Sequence, residues 1–443
     1  MKLYNSKSNS IEEFKSIEPN KVSLYLCGPT VYGDAHIGNA RPIVVFDLLR
    51  RVLKAEGYSV KFVSNYTDID DKIVNKAIEE MTSEKEISER YIAAYESVRN
   101  GLFASGIDAK PKVTEVIEEI IEFIQILIDK GYAYAVNGDV YFRVSKVDSY
   151  GSISHQKLDE LRVGARIEEN IDKENPLDFV LWKNTDAGIK WDAPWGEGRP
   201  GWHTECVVMI QNEFGQAIDI HGGGVDLKFP HHENESAQAH AYHEHDLANY
   251  WVHNAMLQID GEKMSKSIGN VVLAKDFIKE LGANVTRYLL LSTHYRLVLN
   301  VSEDTIVQAQ KEVTRIETAL NQAYLKFELS DIELGTTYKE ESYQKFLDEL
   351  SSDLNVANAM PVLYEEIKVL NALLRARELD VENLSETIVT VEKMVDLLGL
   401  YIPRLKLNTK DKELFKEWTT LKRDKEFEAA DKIRDILVGK GYL

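Results

Sequence analysis

Residues 21–64 read KVSLYLCGPTVYGDAHIGNARPIVVFDLLRRVLKAEGYSVKFVS and carry the clearest fold signal in the chain. The first seven are mostly apolar and predict a buried strand that ends before a Gly-Pro pair. Residues 41–56 place apolar side chains at helical spacing and stop before Gly57, after which 58–64 return as a strand. This order is typical of the first unit of a doubly wound parallel sheet in an α/β protein. No GxGxxG follows the first strand, which disfavours a dinucleotide-binding dehydrogenase.

An insertion is predicted next along the chain. Residues 114–130 form an amphipathic helical pattern that stops at Gly131. Two short apolar runs then flank Asn137-Gly138, a pair that supplies the two positive φ angles of a hairpin turn. We therefore interpret 112–200 as an α+β connective region inserted into the sheet domain.

The strand pattern resumes at 217–221 and 250–257, and from about 303 the chain is charged and patterned as helices. We expect an all-α helical bundle there, followed by a small C-terminal unit. The predicted boundaries are 1–111 and 201–302 for the two halves of the catalytic domain, 112–200 for the insertion, 303–400 for the bundle and 401–443 for the last unit.

Composition places the chain among globular proteins, since 44% of its 443 residues are apolar and 28% are charged. No apolar run is long enough to span a bilayer, and the first residues lack the apolar core of a secretory signal. Two cysteines cannot build a disulfide scaffold, so we expect a cytoplasmic protein with no membrane partner. The net charge of −20 argues against nucleic acid, but residues 404–443 alone carry net +3.

The loop CGPTVYGDAHIGNARP, residues 27–42, joins the first strand to the helix. A glycine-bearing loop that leads into a helix N-terminus can bind phosphate through backbone N–H groups and the helix dipole. His36 and Asn39 could donate to phosphate oxygens, and Gly38 between them permits close approach. The alternative is a plain strand–helix turn with a surface histidine.

A second loop, GEKMSKSIGN at 261–270, follows the last predicted parallel strand. Lys263 and Lys266 lie among serines and glycines, which is typical of a mobile cationic loop. Such a loop can close over a polyphosphate and neutralise charge on a leaving pyrophosphate. A solvated basic turn is the alternative.

A third group of residues suits a metal. Cys27 ends the first strand, Cys206 lies in GRPGWHTEC, and His231 and Glu235 are four apart on a helix that Pro230 can start. Two thiolates, an imidazole and a carboxylate suit tetrahedral Zn²⁺. Buried, metal-free cysteines remain the alternative on these residues alone. The HHENE segment is not HExxH, which disfavours a metalloprotease. The other nearby histidines are expected on the helix surface or in packing: His232, His240, His243 and His245.

Together these motifs resemble a known family. HIGN resembles the HIGH signature, and KMSKS matches the second signature, of class I aminoacyl-tRNA synthetases. The chain resembles the cysteinyl-tRNA synthetase family within this class. Three further segments carry that resemblance: SNYTDIDDK at 64–72, GRPGWHTEC at 198–206 and DIHGGGVDLKFPHHENE at 219–235. The resemblance is specific from about residue 20 to 300 and looser beyond. The departure is Asn39 where the signature has histidine.

The resemblance implies a class I nucleotide-binding fold that activates L-cysteine with ATP and transfers it to tRNA(Cys). It implies one zinc ion that also coordinates the substrate thiol, Mg²⁺ with ATP, and no obligate protein partner. The implied zinc ligands are Cys27, Cys206, His231 and Glu235. The implied ATP-site residues are Thr30, His36, Gly38, Asn39, Asp226, Lys263 and Lys266. The implied cysteine-pocket residues are Thr67, Trp202 and His221.

The resemblance implies that the helical bundle at 303–400 binds tRNA. The C-terminal helices at 401–443 resemble the unit that recognises the tRNA anticodon in this family. Five basic residues there could face phosphates, although a salt-bridged exposed helix would look the same. They are Lys422, Arg423, Lys425, Lys432 and Arg434.

Two other functions remain open at this point. One is a cysteine ligase that acts on an amino-sugar, as in the mycothiol pathway; the roughly 140 residues after 303 favour tRNA instead. The other is a zinc-stabilised RNA-binding relative without catalysis. The presence of His36, Lys263 and Lys266 argues against that second alternative.

Overall fold

The computed structural model describes residues 1–156, 172–264 and 269–442, and it begins with two strands that the sequence patterns did not predict. An antiparallel hairpin joins β1 (Lys2–Asn5) to β2 (Ser10–Glu13). The Asn5 side chain accepts from the Trp251 N–H at 3.1 Å and donates to the Asn249 carbonyl at 3.0 Å. These strands are only four residues long and lack a clear alternation, so tertiary contacts rather than local pattern define them.

The expected strand–loop–helix–strand unit follows. Strand β3 (Lys21–Leu26) runs parallel to β4 (Ser59–Ser64), and α1 (Ile37–Ala55) connects them. The helix begins earlier than the apolar pattern indicated, because the Asn39 carboxamide oxygen accepts from the His36 N–H at 3.1 Å and caps the first turn. Helices α2 (Asp71–Glu80) and α3 (Glu84–Gly101) come next.

The insertion combines one helix with an antiparallel sheet. Asn137 and Gly138 have φ of 53° and 90°, as the predicted hairpin turn requires. The elements are α4 (Ile117–Asp129), β5 (Ala133–Val136), β6 (Asp139–Phe142), β7 (Phe179–Asn184) and β8 (Gly198–Pro200), with the strands paired in chain order.

The chain then completes the parallel sheet. The elements are α5 (Glu205–Phe214), β9 (Ile218–Gly224), α6 (Glu233–His243) and β10 (Ala248–Asn254). The strand order is β10–β9–β3–β4, and every neighbouring pair is parallel. The predicted doubly wound sheet is confirmed. From β3 the chain adds β4 on one side of the sheet, and β9 and β10 lie on the other side. Open α/β sheets bind their ligands at the point where the strand order reverses in this way, here between β3 and β9.

A small sheet and two helices flank the second signature motif in sequence. The elements are β11 (Leu257–Ile259), β12 (Glu262–Lys263), α7 (Ala274–Leu281), α8 (Ala283–Leu291) and β13 (Leu299–Val301). The strand expected over 250–257 is thus split, with β11 pairing to β13 in a separate three-stranded sheet. These elements complete the first of two units, which spans Met1–Ser302 and Ser351–Leu354.

The second unit, Glu303–Leu350 with Asn355–Leu443, contains helices and connecting segments but no strands among its described residues. Its helices are α9 (Glu303–Ser330), α10 (Glu340–Leu350), α11 (Val356–Arg375), α12 (Val381–Leu397), α13 (Thr409–Arg423) and α14 (Phe427–Gly439). The predicted all-α region is confirmed. In the described part of the chain, no helix combines the length and apolarity that crossing a bilayer would need.

A buried ion network anchors α1 within the first unit. The Asp47 carboxylate accepts from Arg50 and Arg51, both at 2.7 Å, and from Arg287 of α8 at 2.6 Å. Asp47 and Arg287 are almost completely buried. Burial opposes ionisation of Asp47, but the charges of Arg287 and Arg51 hold its pKa below the usual range.

Replacing Asp47 by alanine should lower the free energy of unfolding by about 3–5 kcal/mol, because Arg287 would keep a buried charge without its partner. Urea denaturation of the full chain measures this change. The matched control is Glu80→Ala, which removes an exposed pair with Arg90 at 2.6 Å and should matter far less. Equal destabilisation by the two substitutions would contradict the expectation.

Candidate metal and nucleotide site

The carboxyl ends of the parallel strands bring the predicted chemistry together. Cys27 and Gly28 directly follow β3, and Asn65 directly follows β4. A Cβ on Gly28 would lie 1.6 Å from the Asn65 carbonyl oxygen, so only glycine fits. The Gly28 N–H also donates to the Asn65 side-chain oxygen at 2.8 Å. This close approach fixes the Cys27 backbone at the floor of the site.

Four predicted metal-ligand residues meet at this floor, and we call them the thiol cluster: Cys27, Cys206, His231 and Glu235. Their ligand atoms all lie within 4.8 Å of one another. The two sulfurs are 3.5 Å apart, and Cys27 Sγ lies 3.6 Å from Glu235 Oε1. His231 Nε2 is 3.8 Å from Cys206 Sγ and 2.7 Å from Glu235 Oε1.

Separate elements hold these side chains. Cys206 lies in the first turn of α5, and Glu235 lies in the first turn of α6. The α-helix does not begin at Pro230, as the sequence indicated, but at Glu233. Residues Lys228–His232 form a π-helical turn in which Phe229 is extended, with φ −141° and ψ 133°. Despite this break, His231 still contacts Glu235.

The donor set fits a zinc ion. In tetrahedral sites with bonds of about 2.0–2.3 Å, ligand atoms lie roughly 3.3–3.8 Å apart. Three of the four distances given above fall in this range; only the 2.7 Å contact between His231 and Glu235 is shorter, as in a hydrogen bond. Cys206, His231 and Glu235 are at most 2% exposed, so water competes weakly for the ligand atoms.

Electrostatics keep one anionic oxygen at this point. Burial opposes ionisation of Glu235, but the charges of His231 and His221 hold its pKa well below the usual range. Burial would lower the pKa of His231, yet the Glu235 carboxylate raises it to about 10. Burial raises the pKa of Cys27, and the hydrogen bond from Cys27 lowers the pKa of Cys206. A metal that binds here must displace the His231 proton.

A second, overlapping set of ligand atoms lies beside the thiol cluster: Cys27, His221, His232 and Glu235. His232 Nε2 is 3.3 Å from Cys27 Sγ, and its other ring nitrogen is 2.8 Å from His253. His253 in turn lies 2.8 Å from the Ser6 hydroxyl. Sequence reasoning expected His232 on the surface or in packing; it is buried, but it also contacts Cys27. Such outer partners orient metal ligands.

Two of the expected cysteine-pocket residues contact the thiol cluster, and the third contacts Glu205, the neighbour of Cys206 in sequence. Trp202 is 39% exposed and stacks on His231 with ring centroids 4.2 Å apart. His221 is fully buried and lies 2.6 Å from Glu235 Oε2. The Thr67 hydroxyl donates to Glu205 Oε2 at 2.8 Å, a buried carboxyl that sequence reasoning missed.

The first signature loop lies beside Met264 of the second. A Cβ on Gly38 would lie 3.0 Å from both the His36 ring and the Met264 methyl group. The Ile37 N–H donates to the Val272 carbonyl at 2.9 Å. Lys263 is exposed in β12. Lys266 lies outside the described residues, so its position relative to His36 stays a prediction.

Two further ATP-site candidates come after strands of the parallel sheet. Thr30 forms a parallel bridge with Thr67. Asp226 is exposed in the short 3₁₀ turn Val225–Leu227, immediately after β9. Both therefore follow carboxyl ends of parallel strands, where a nucleotide would bind.

The five basic tRNA candidates lie in the second unit, and all are exposed. Lys422 lies 4.4 Å from the centroid of the Trp418 ring, and Arg423 pairs with Asp424 at 3.1 Å. Lys425 lies between α13 and α14, and the other two, Lys432 and Arg434, lie on α14. They remain available to solvent.

Comparisons with known families and proteins agree with these motifs. Residues 13–311 match the catalytic domain of tRNA synthetases class I (C), and 345–402 match the DALR domain. Cysteine–tRNA ligases of Brevibacillus brevis and Geobacillus thermodenitrificans are each 44% identical to the chain. The alignments cover 100% of this chain and 97% and 96% of those proteins. The Acholeplasma laidlawii cysteine–tRNA ligase is 43% identical, with both chains fully covered.

Solved structures support the fold. Mycobacterium tuberculosis methionyl-tRNA synthetase bound by methionyl-adenylate superimposes with a TM-score of 0.65 and 14% identity, covering 86% of this chain and 92% of that one. Thermus thermophilus arginyl-tRNA synthetase superimposes with a TM-score of 0.55 and 12% identity, covering 89% and 84%. At such low identity the likeness concerns the fold alone.

Proposed function

The chain belongs to the cysteine–tRNA ligase family of class I aminoacyl-tRNA synthetases, and on that premise we propose that its thiol cluster binds the zinc ion that selects L-cysteine. As a member of this family, the chain is an enzyme that joins cysteine to tRNA(Cys), and its substrates are ATP, L-cysteine and tRNA(Cys). The convergence of two sulfurs, one imidazole and one carboxylate within 4.8 Å is the observation that carries the proposal.

Selection of cysteine is the chemical problem that this site must solve. Cysteine and serine differ by one atom, and pocket shape discriminates poorly between groups of such similar size. When bound, zinc supplies a soft acceptor that prefers a deprotonated sulfur to a hydroxyl. Coordination could then give selectivity on the order of 10⁴–10⁵ without a separate editing site.

The chain's own residues hold and orient this site. Glu235 remains ionised and contributes the anionic oxygen. His221 fixes the second oxygen of Glu235, and His232 lies against the Cys27 sulfur. Of the two overlapping ligand sets, the thiol cluster is favoured because it contributes two sulfurs rather than one. Trp202 stacks over His231 and remains partly exposed, so we place it at the entrance for the substrate.

We further propose that activation proceeds through an adenylate. The cysteine carboxylate attacks the α-phosphorus of ATP, a new carboxyl–phosphate bond forms, and the bond to pyrophosphate breaks. His36 and Lys263 bind phosphate oxygens, Lys266 stabilises charge on the departing pyrophosphate, and Mg²⁺ accompanies ATP. Thr30, Thr67 and Asp226 line the same end of the sheet.

Cobalt(II) substitution tests the zinc proposal with a spectroscopic readout. We expect the cobalt-loaded full chain to show thiolate-to-metal charge-transfer absorption. L-cysteine should strengthen it, because a further sulfur enters the coordination shell, whereas L-serine should not. Titration in the near ultraviolet, with L-serine as the matched ligand control, measures the effect. A cobalt spectrum without thiolate bands would exclude this metal site, and a spectrum unchanged by cysteine would exclude coordination of the substrate thiol.

A further inference from the structure

Glu205 is a buried carboxyl group that the proposed activation of cysteine does not use. It is 2% exposed and begins helix α5, directly before Cys206. Among the described residues it forms no ion pair, and its one hydrogen-bond partner is the Thr67 hydroxyl at 2.8 Å. Glutamate is almost never fully buried without a charged partner, because a charge loses its hydration there. Burial accordingly raises the pKa of Glu205 well above its usual range, and a cation beside it would stabilise the charged form.

We call Thr67 and Glu205 the hydroxyl–carboxyl pair. The Thr67 backbone is held by the first signature loop: its N–H donates to the Pro29 carbonyl at 3.2 Å, and its carbonyl accepts from the Val31 N–H at 3.1 Å. Thr67 is 1% exposed, so its side chain has little freedom. The pair therefore joins the loop that is expected to bind phosphate to the helix that carries a predicted metal ligand.

The hydroxyl–carboxyl pair also lies close to the thiol cluster. The side-chain oxygen of Asn65, two residues before Thr67, is 3.9 Å from Cys206 Sγ. The imidazole of the cluster does not serve as the missing cation, because His231 Nε2 is 2.7 Å from Glu235 Oε1 and is paired with that carboxylate. A cysteine molecule that reached from the thiol cluster to the phosphates would lie beside the pair.

The chemistry of the substrate indicates which of its groups suits this position. Cysteine offers a thiol, a carboxylate and an α-ammonium group. The thiol is expected at the metal, and the carboxylate must reach the α-phosphorus of ATP and would be repelled by Glu205. The ammonium group is the only cation of the three. When the Thr67 hydroxyl donates to Glu205, its oxygen keeps lone pairs that can accept from an ammonium N–H.

We propose that Glu205 is a positioning residue that, through the Thr67 hydroxyl, recognises the α-ammonium group of L-cysteine. Glu205 accepts the hydrogen bond from the hydroxyl, the hydroxyl oxygen accepts one from the ammonium group, and the charge of Glu205 balances that of the substrate. The inference deepens the proposed function, since it assumes that the substrate thiol lies at the thiol cluster.

The substitution Glu205→Gln, compared across two ligands, tests this proposal. Glutamine keeps an oxygen that can accept from Thr67 but removes the negative charge. The Kd of L-cysteine should rise at least about tenfold. The Kd of 3-mercaptopropionate, which is cysteine without its amino group, should hardly change. Isothermal titration calorimetry of the full chain measures both constants. In steady-state exchange, the KM for L-cysteine should rise by a larger factor than kcat falls.

Two further variants separate the contact from its surroundings. Thr67→Val removes the hydroxyl and should also weaken L-cysteine but not 3-mercaptopropionate. Combining it with Glu205→Gln should add little, because both substitutions break the same contact. The matched control is Glu213→Gln near the other end of α5, where the carboxylate lies 3.0 Å from Lys61. This control should bind both ligands with the affinities of the original chain.

The outcomes distinguish this proposal from the zinc proposal. If Glu205→Gln weakened both ligands by the same factor, the substitution would have disturbed the whole pocket, and the proposal would be overturned. Loss of zinc from this variant would overturn it too, since Glu205 would then act through Cys206. Equal binding of the two ligands by the original chain would show that the ammonium group is not recognised. Discrimination through Glu205 in a chain that binds no zinc would refute the zinc proposal and support this one.

Discussion

Replacing Cys206 by serine should remove the zinc ion and lower kcat/KM for L-cysteine by at least about 10²-fold, or about 2.7 kcal/mol. Cys206 is 2% exposed, and its sulfur lies 3.5 Å from Cys27 Sγ and 3.8 Å from His231 Nε2. A serine hydroxyl is a poor zinc ligand because it stays protonated at neutral pH, so three ligands remain and the ion dissociates more readily. Metal analysis and ATP–pyrophosphate exchange measure the two effects.

Met209→Leu is the matched control for this substitution. Met209 is fully buried on the same helix, α5, and is not a metal-ligand candidate, so a similar volume should preserve both zinc and activity. The chain contains only two cysteines, so thiol titration of the serine variant reports Cys27 alone. A variant that lacks zinc yet keeps wild-type affinity for cysteine would refute the role of the thiol cluster in substrate selection.

Replacing Lys266 by alanine should lower the rate of adenylate formation by about 10²–10³-fold with little change in cysteine affinity. Lys266 belongs to the second signature, and the proposed contact with the departing pyrophosphate strengthens as negative charge develops on it. An interaction made chiefly in the transition state lowers kcat rather than raising KM. Single-turnover measurement of adenylate formation separates the chemical step from binding.

Lys279→Ala controls for the loss of a positive charge in this region. Lys279 is exposed on α7, nine residues after the signature loop, and the adenylation rate should not change without it. If Lys266→Ala instead raised only the KM for ATP, the lysine would act in ground-state binding, and the proposed transition-state role would be wrong.

The family and the fold class follow from local patterns. The strand, loop and helix of residues 21–64 obey periodicities that depend only on neighbours in sequence, and the structure reproduces them. Asn39, the one departure from the first signature, has a structural explanation: its side chain caps the His36 backbone N–H. The nomination of the zinc ligands also came from sequence, although only resemblance distinguished them from ordinary buried cysteines.

Other features could not be predicted from the sequence, because they are contacts between residues that lie far apart along the chain. A series of side-chain contacts runs from Cys27 through His232 and His253 to Ser6. It joins residues up to 247 positions apart in sequence. Glu205 approaches Thr67 from 138 positions away.

The amino-acid sequence by itself determined the parallel-sheet architecture, the two signature motifs and the kinds of donor atom offered to a metal. Tertiary structure alone decided that the four donor side chains meet at one point and that two further histidines contact them. Periodicity and turn chemistry are properties of adjacent residues, whereas a binding site depends on distances across strand ends and between helices, which exist only once the chain has packed.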